Sequence, residues 1–312
     1  MPSPDQNPAS IGLVERETGL SKDTLRMWER RYGFPRPLRD AKGERLYPVD
    51  QIEQLRLIGR LLDLGLRPRE LVGLPLEALI ARAEGASPRM PTESVRDCAQ
   101  WEPTFEMLRR YDESGLRSHL SLALQRLGLQ RFVTDFAAPL SVQVGEAWAR
   151  GRITISQEHL YSEQLQQQLR YGIGAIYPGE RAPSVLLTTL PGEEHQLGLL
   201  MAQACLAAEG IHCVSLGVQT PAWDIVEAAH QRGADVVGLS FSQALRPKVA
   251  LTLLQDLRAR LPAAIEVWAG GALWECTHHV VAGVRFVSRL EQLHSLLGAY
   301  RDSHASSRTA AR

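Results

Sequence analysis

A chain of 312 residues is long enough for two or three domains, each with its own core. Its 35 basic residues balance 35 acidic ones, which excludes a protein that is basic throughout, and no apolar run reaches the ~18 residues of a membrane helix. The opening MPSPDQNPAS lacks the basic-then-apolar order of a secretory leader, so a cytoplasmic protein without membrane contact is expected.

In chain order, Ser10 is placed to cap a first helix that ends at Gly19. Ser21 is placed to cap a second, from Lys22 to about Tyr32, with Leu25 and Trp28 inward. Two short helices around a glycine turn make a helix-turn-helix pattern. Phe34-Pro35-Arg36-Pro37 leaves the second helix abruptly, and Arg39 to Tyr47, turning at Lys42-Gly43, reads as a short basic wing. A third helix spans about Val49 to Asp63, and a fourth runs from Arg67-Pro68 through Leu79. Between Lys22 and Arg45 the basic residues Lys22, Arg26, Arg30, Arg31, Arg36, Arg39, Lys42 and Arg45 face only four acids, Asp23, Glu29, Asp40 and Glu44. A local basic stripe in a neutral chain points to one anion-binding module joined to something else. The plainer reading is a helical domain with a solvated basic face.

The run SKDTLRMWERRYGFPRP, Ser21 to Pro37, resembles the recognition helix and exit of a MerR-type winged helix-turn-helix, and Gly43-Glu44-Arg45-Leu46-Tyr47-Pro48 resembles the end of that family's wing. The resemblance implies a double-stranded DNA operator as partner, contacted by those eight basic residues and Tyr47. Glu44 departs from the Gly-His or Gly-Gly common in relatives, and a carboxylate near phosphate weakens or retunes backbone contact.

Residues 1–80 are therefore read as the DNA-binding domain. Residues 81–100, with Gly85, Pro88 and Pro91, read as a linker. From Trp101 helical periodicity resumes, with breaks near Gly115, Gly128 and Gly151, and residues 101–178 read as a four-helix bundle. From residue 179 to 300 the pattern alternates. Strands fit Ser184–Thr189, Cys213–Leu216, Val236–Ser240, Glu266–Ala269 and Val284–Phe286. Helices fit Leu197–Glu209, Ala222–Gln231, Arg246–Arg260, Leu273–His279 and Leu290–Tyr300. That order makes a five-stranded doubly wound parallel sheet, with a loose tail over 301–312. The fold class is thus multidomain α and α/β. Cys98, Cys205, Cys213 and Cys276 lack metal or disulfide spacing and are read as structural thiols.

The loop after the first of these strands carries Glu193-x-His195-x-x-Gly198. One ring nitrogen of His195 is suited to a metal, and the carboxylate two residues earlier fixes tautomer and basicity. Alone, a loop histidine is more often a satisfied polar group. The third strand ends in Gly238-Leu239-Ser240-Phe241-Ser242 and the fourth in Ala269-Gly270-Gly271-Ala272, both at the same sheet edge. A histidine loop, a serine strand end and a double glycine resemble the cobalamin-binding domain of methionine synthase and corrinoid proteins. The resemblance implies that His195 is the lower cobalt ligand and that Glu193, Gly198, Ser240, Gly270 and Gly271 serve the cofactor. Glu193 stands where aspartate is common in that family.

In the helical segment, Trp148 reads as core and Glu158-His159 as an exposed helix start. A tryptophan at that distance from Glu-His, behind a MerR head and ahead of a cobalamin domain, is however similar to the CarH/LitR-type light-responsive repressors. That resemblance implies adenosylcobalamin under Trp148, Glu158 and His159, a homo-oligomer (dimer or dark-state tetramer), and release of DNA in light. A histidine follows the tryptophan in well-described members; here the residue is Ala149. The expected function is a non-enzymatic transcriptional regulator, a repressor. The alternatives are a light-independent cobalamin-responsive or apo-active regulator and, from another class, a corrinoid-carrying methyltransferase subunit. The basic stripe speaks against the last.

Overall fold

The structure, a computed structural model, describes residues 8–40, 43–63, 66–86, 95–176, 181–242, 245–274 and 281–310. Of the expected site residues, Lys42 lies outside them. The chain forms two compact units, residues 1–99 with 144–155, and residues 100–143 with 156–312.

In the first unit β1 (Ala9–Ser10) leads into α1 (Ile11–Thr18), and α2 follows at Lys22–Tyr32. Ser21 starts α2 by accepting a hydrogen bond from the Thr24 amide at 3.1 Å, and Gly33 ends it in the left-handed region at φ 68°. Strands β2 (Leu38–Arg39) and β3 (Arg45–Tyr47) form the wing, and β1 pairs on the far side of β3, Ala9 opposite Tyr47. Helix α3 (Val49–Asp63) supplies Ile52, Leu55 and Ile58 to a core shared with Val14, Leu25, Trp28 and Tyr47. The expected fourth helix is two, α4 (Pro68–Leu71) and α5 (Leu76–Ala86), because Pro75 has no amide hydrogen to carry the first across.

Helix α5 runs to residue 86 and α6 (Val95–Arg109) starts at 95, so both ends of the expected 81–100 linker are helical; its middle lies outside the described residues. Helix α7 (Glu113–Arg131) begins where Asp112 accepts a hydrogen bond from the Gly115 amide at 2.9 Å. The break expected near Gly115 falls at residues 110–112, just before this start. Gly128 does bend the chain, at φ 71° and ψ 162°, and a π-helical turn, Phe132–Ala137, follows before α8 (Ala138–Ala149). Helix α9 (Ile155–Gly174) completes this segment. Its Tyr161 is fully buried, with the hydroxyl 2.8 Å from that of Ser141 and donating to the Ala137 carbonyl.

The sheet of the second unit holds β4 (Arg181–Thr188), β5 (Ile211–Ser215), β6 (Val236–Ser240), β7 (Glu266–Gly270) and β8 (Val284–Val287), all parallel, in the order β5-β4-β6-β7-β8. Between them run α10 (Leu197–Ala208), α11 (Ala222–Arg232) and α12 (Pro247–Arg260), with α13 (Gln292–Ala310) after β8. Val237, Leu239, Val267 and Ala269 form a continuous apolar core with Ile225 and Leu254 from the helices. Helix α13 takes in most of the expected loose tail, where alanine and arginine favour helix. Of the helix expected at Leu273–His279 the described part is a 3-10 turn, Ala272–Trp274. Desolvation pushes the Cys205 and Cys213 thiols up to about 12, as inert structural groups require; the side chains of Cys98 and Cys276 lie outside the described residues. Among the described residues no helix is long and apolar enough to cross a membrane.

Candidate cofactor site and nucleic-acid interface

The chain leaves β4, crosses to β5 on one side, and returns as β6 on the other side of β4. The carboxyl ends of β4 and β6 therefore flank the switch point, where open α/β sheets leave a crevice for a ligand. The β4 loop carries Glu193 and His195, and the chain just past β6 carries Ser242.

Glu193 is 1% exposed, and such a burial of charge is tolerated only when the oxygens are satisfied. They are. Oε1 accepts from the His195 amide at 3.0 Å and lies 2.7 Å from His195 Nδ1; Oε2 accepts from the Ser242 amide at 2.7 Å; the Ser242 hydroxyl donates to both at 3.0 and 2.8 Å. Burial pushes the carboxyl up, but the hydrogen bonds from His195 and Ser242 outweigh it and hold the group below the ordinary range. The loop itself is pinned where Thr189 Oγ1 donates to the Glu193 carbonyl at 2.6 Å and accepts from the Gln219 amide at 2.8 Å.

The His195 ring is 60% exposed, with Nδ1 turned to Glu193 and 3.0 Å from the Ser242 hydroxyl. A proton on Nδ1 donated to the carboxylate leaves the Nε2 lone pair as the metal-binding one and raises its basicity. One imidazole suits a metal whose equatorial positions a macrocycle already fills. Backbone is closely packed at this edge, where glycine alone fits. A Cβ at Gly198 would stand 2.8 Å from Ser240 Oγ, and Gly271, at φ 125°, lies so close to the Phe241 carbonyl that a Cβ would collide with it. Glu193, His195, Gly198, Ser240 and Gly271 thus share one sheet edge. Gly270 belongs to the same edge, its carbonyl accepting from the Phe241 amide at 2.8 Å, although a Cβ there meets only ordinary contacts. Ser242 was not among the expected site residues; only the folded loop reveals that it holds Glu193.

Glu158 and His159 open α9, 3.8 Å apart, with Glu158 accepting from Ser162 at 2.6 Å and His159 67% exposed. Trp148 sits half-buried on the last turn of α8, in the first unit.

On the DNA-binding side, Lys22, Arg26, Arg30 and Arg31 are exposed along α2. Lys22 is held by Glu15 at 3.4 Å and Arg26 by Asp23 at 3.2 Å, and the Arg31 guanidinium lies 5.5 Å from the Tyr32 ring centre. In the wing Arg39 donates to the Gly43 carbonyl at 2.7 Å, and at its base Arg36 donates to the Gly33 carbonyl at 3.0 Å. Arg45 bridges back to Glu29 of α2 at 2.8 Å, locking wing to recognition helix. Glu44, the departure in the wing, is tied by its amide to the Asp40 carboxylate at 2.8 Å. Tyr47 corrects the expectation. It is 0% exposed, desolvation raises its hydroxyl, and that hydroxyl has no hydrogen-bond partner among the described residues, so Tyr47 is core rather than a DNA contact. Pairing of β3 with β1 turns this residue inward. Replacing Tyr47 by Phe is expected to leave thermal stability equal or higher, by roughly 1 kcal/mol, because an unsatisfied buried hydroxyl is removed. The slope of log affinity for DNA against log salt is expected to stay unchanged; calorimetry and binding titrations over a salt series check both.

The family of MerR HTH regulatory proteins matches residues 9–74, and B12 binding domain families match residues 102–171 and 183–292. The HTH-type transcriptional repressor CarA of Myxococcus xanthus is 30% identical over 295 residues, 94% of this chain and 97% of that protein. The repressor CarH of the same organism is 32% identical over 267 residues, 84% of this chain and 88% of that protein. Among solved structures, the Methanosarcina barkeri monomethylamine corrinoid protein superimposes with a TM-score of 0.50 at 17% identity, over 62% of this chain and 93% of that one, a likeness of fold.

Proposed function

The chain belongs to the family of the CarA and CarH HTH-type transcriptional repressors, and from that premise we propose how it works. It is a cobalamin-binding transcriptional regulator with a MerR-type DNA-binding head, not an enzyme. The finer reading is a repressor that takes adenosylcobalamin as a light-sensing cofactor.

The observation that carries this reading is the His195–Glu193–Ser242 network at the sheet's switch point. His195 Nε2 would hold the cobalt. Glu193 and Ser242 fix the ring, and Gly198, Ser240, Gly270 and Gly271, which share this sheet edge, are assigned to the cofactor's nucleotide tail. Trp148, Glu158 and His159 are assigned to the adenosyl side. Bound adenosylcobalamin supplies a cobalt–carbon bond that visible light breaks. The protein's own part would be its assembly: copies would associate on the operator in the dark and separate in light, and Lys22, Arg26, Arg30, Arg31, Arg36, Arg39 and Arg45 would then let go of the phosphates. A ligand that binds one assembly state better than another shifts the population between them in this way.

Protein loaded with adenosylcobalamin is expected to shift operator DNA in the dark and to lose that shift, with a smaller elution size, after green illumination. Ala149, directly after Trp148, favours a second reading. Without an imidazole there, the protein reports cobalamin loading and not light. Operator affinity that depends on cobalamin yet is the same in dark and light supports this second reading over the first.

A further inference from the structure

The second unit has a cavity of about 400 Å³ beside the cobalt ligand's loop, where the last turn of α9 meets α10 and the end of β5. Its polar lining is Arg170, Gln196, Gln203 and Ser215, with Leu200 and Leu216 among its apolar walls. Gln196 is the residue after His195 and stands at the start of α10. Ser215 lies opposite Leu187 of β4, and the Leu216 amide donates to the Leu187 carbonyl at 2.9 Å. The cavity therefore adjoins the carboxyl end of the strand whose loop carries His195. Arg170 is fixed against its wall by donating to Gln166 and Gln196, each at 3.3 Å.

Two carboxamides and a hydroxyl both donate and accept, and Arg170 is the only charged side chain among the described lining residues. That set is matched by a neutral group with a donor and an acceptor of its own, on a short apolar stem. A primary amide on a methylene chain is such a group, because carboxamides pair reciprocally and the stem packs on leucine. The rim of a corrin carries acetamide and propionamide arms, and a macrocycle held through His195 Nε2 would bring its rim beside this cavity, which the next residue, Gln196, lines. We propose that the Arg170–Gln196–Gln203–Ser215 cavity takes one amide arm of the corrin rim, fixing the rotation of the macrocycle about the His195–cobalt axis. This rests on the cofactor reading above and adds a recognition site to it.

The test uses the full chain and two probes, cobalamin and cobinamide; the second keeps the amide rim and lacks the nucleotide tail. Binding is followed by absorbance titration in the dark for wild type, Gln203→Leu and Ser215→Ala, with thermal melts to establish folding. Each substitution is expected to weaken both probes by a similar factor, about fivefold for a lost hydrogen bond, while the visible spectrum of the His195-ligated form is unchanged. Wild-type affinity in both folded variants overturns the proposal, and so does a loss seen with cobalamin alone, which marks a tail contact. A wild-type chain that takes up neither corrinoid refutes the cofactor reading itself, and the cavity's role with it.

Discussion

Replacing Glu193 by Gln is expected to weaken cobalamin binding roughly 10- to 100-fold, the usual cost of losing the group behind a metal-binding histidine. Gln is nearly the same size, so the loop is not emptied. It presents one oxygen where Glu193 presents two, while the His195 amide, the His195 ring, the Ser242 amide and the Ser242 hydroxyl all converge there. One donor is left facing an NH2 group, and a buried donor without an acceptor costs about 1–3 kcal/mol. The pH dependence separates charge from shape. In the folded protein the Glu193 carboxyl is held below its ordinary range despite its burial. A depressed carboxyl adds stability that is present above the unfolded value and lost as pH falls through the folded one. Thermal stability of the wild-type chain is therefore expected to fall on acidification below the ordinary carboxylate range, and the fall is expected to be shallower in Glu193→Gln. Titrations with cobalamin and melts across acid pH check the two halves. Equal affinity in both proteins contradicts the assigned role.

The second large effect belongs to the DNA-binding head. Trp28 is 1% exposed and shares the small core of the first unit with Leu25, Val14, Leu55, Ile58 and Tyr47. Trp28→Ala removes the largest of those side chains and is expected to cost about 3–5 kcal/mol, a large fraction of the ~5–15 kcal/mol that holds a typical domain folded. Loss of α2 removes the whole basic face at once. Gel shifts are expected to show no specific complex at protein concentrations where wild type is saturated. Cobalamin uptake is expected to persist, because His195 and Glu193 stand on a separate core built on β4, β6 and β7. Parallel loss of cobalamin binding contradicts that separation.

The same two regions show what the sequence discloses and what only folding adds. Apolar runs such as Val185–Leu187 and Val236–Leu239, punctuated by Gly and Pro, place the inner strands of the parallel sheet to within a few residues, since a strand covered on both faces must be apolar along its length. His195 was visible for the same reason: a polar loop between a strand and a helix stands out. Ser242 was not, because its partner lies 49 residues away. Only the path of the chain past Phe241, itself buried, brings it to Glu193. Tyr47 misleads in the opposite direction. In a wing of arginines a phenol reads as a surface group, and the signal against this, the two-residue strand at Ala9–Ser10 that pairs with it, is too short to see. The π-helical turn at Phe132–Ala137 has no sequence periodicity of its own, so Gly128 marked the place but not the geometry.

The central claim, that His195 is the lower ligand of cobalt, is tested most directly by electron paramagnetic resonance. The full chain is prepared with histidine carrying the heavy nitrogen isotope, loaded with cob(II)alamin, and compared with the unlabelled protein. Axial coordination by His195 Nε2 predicts that the triplet superhyperfine splitting of the unlabelled sample becomes a doublet on labelling, and that the doublet is absent in His195→Ala. A triplet that persists in the labelled protein places the cofactor's own base on the metal and contradicts the account.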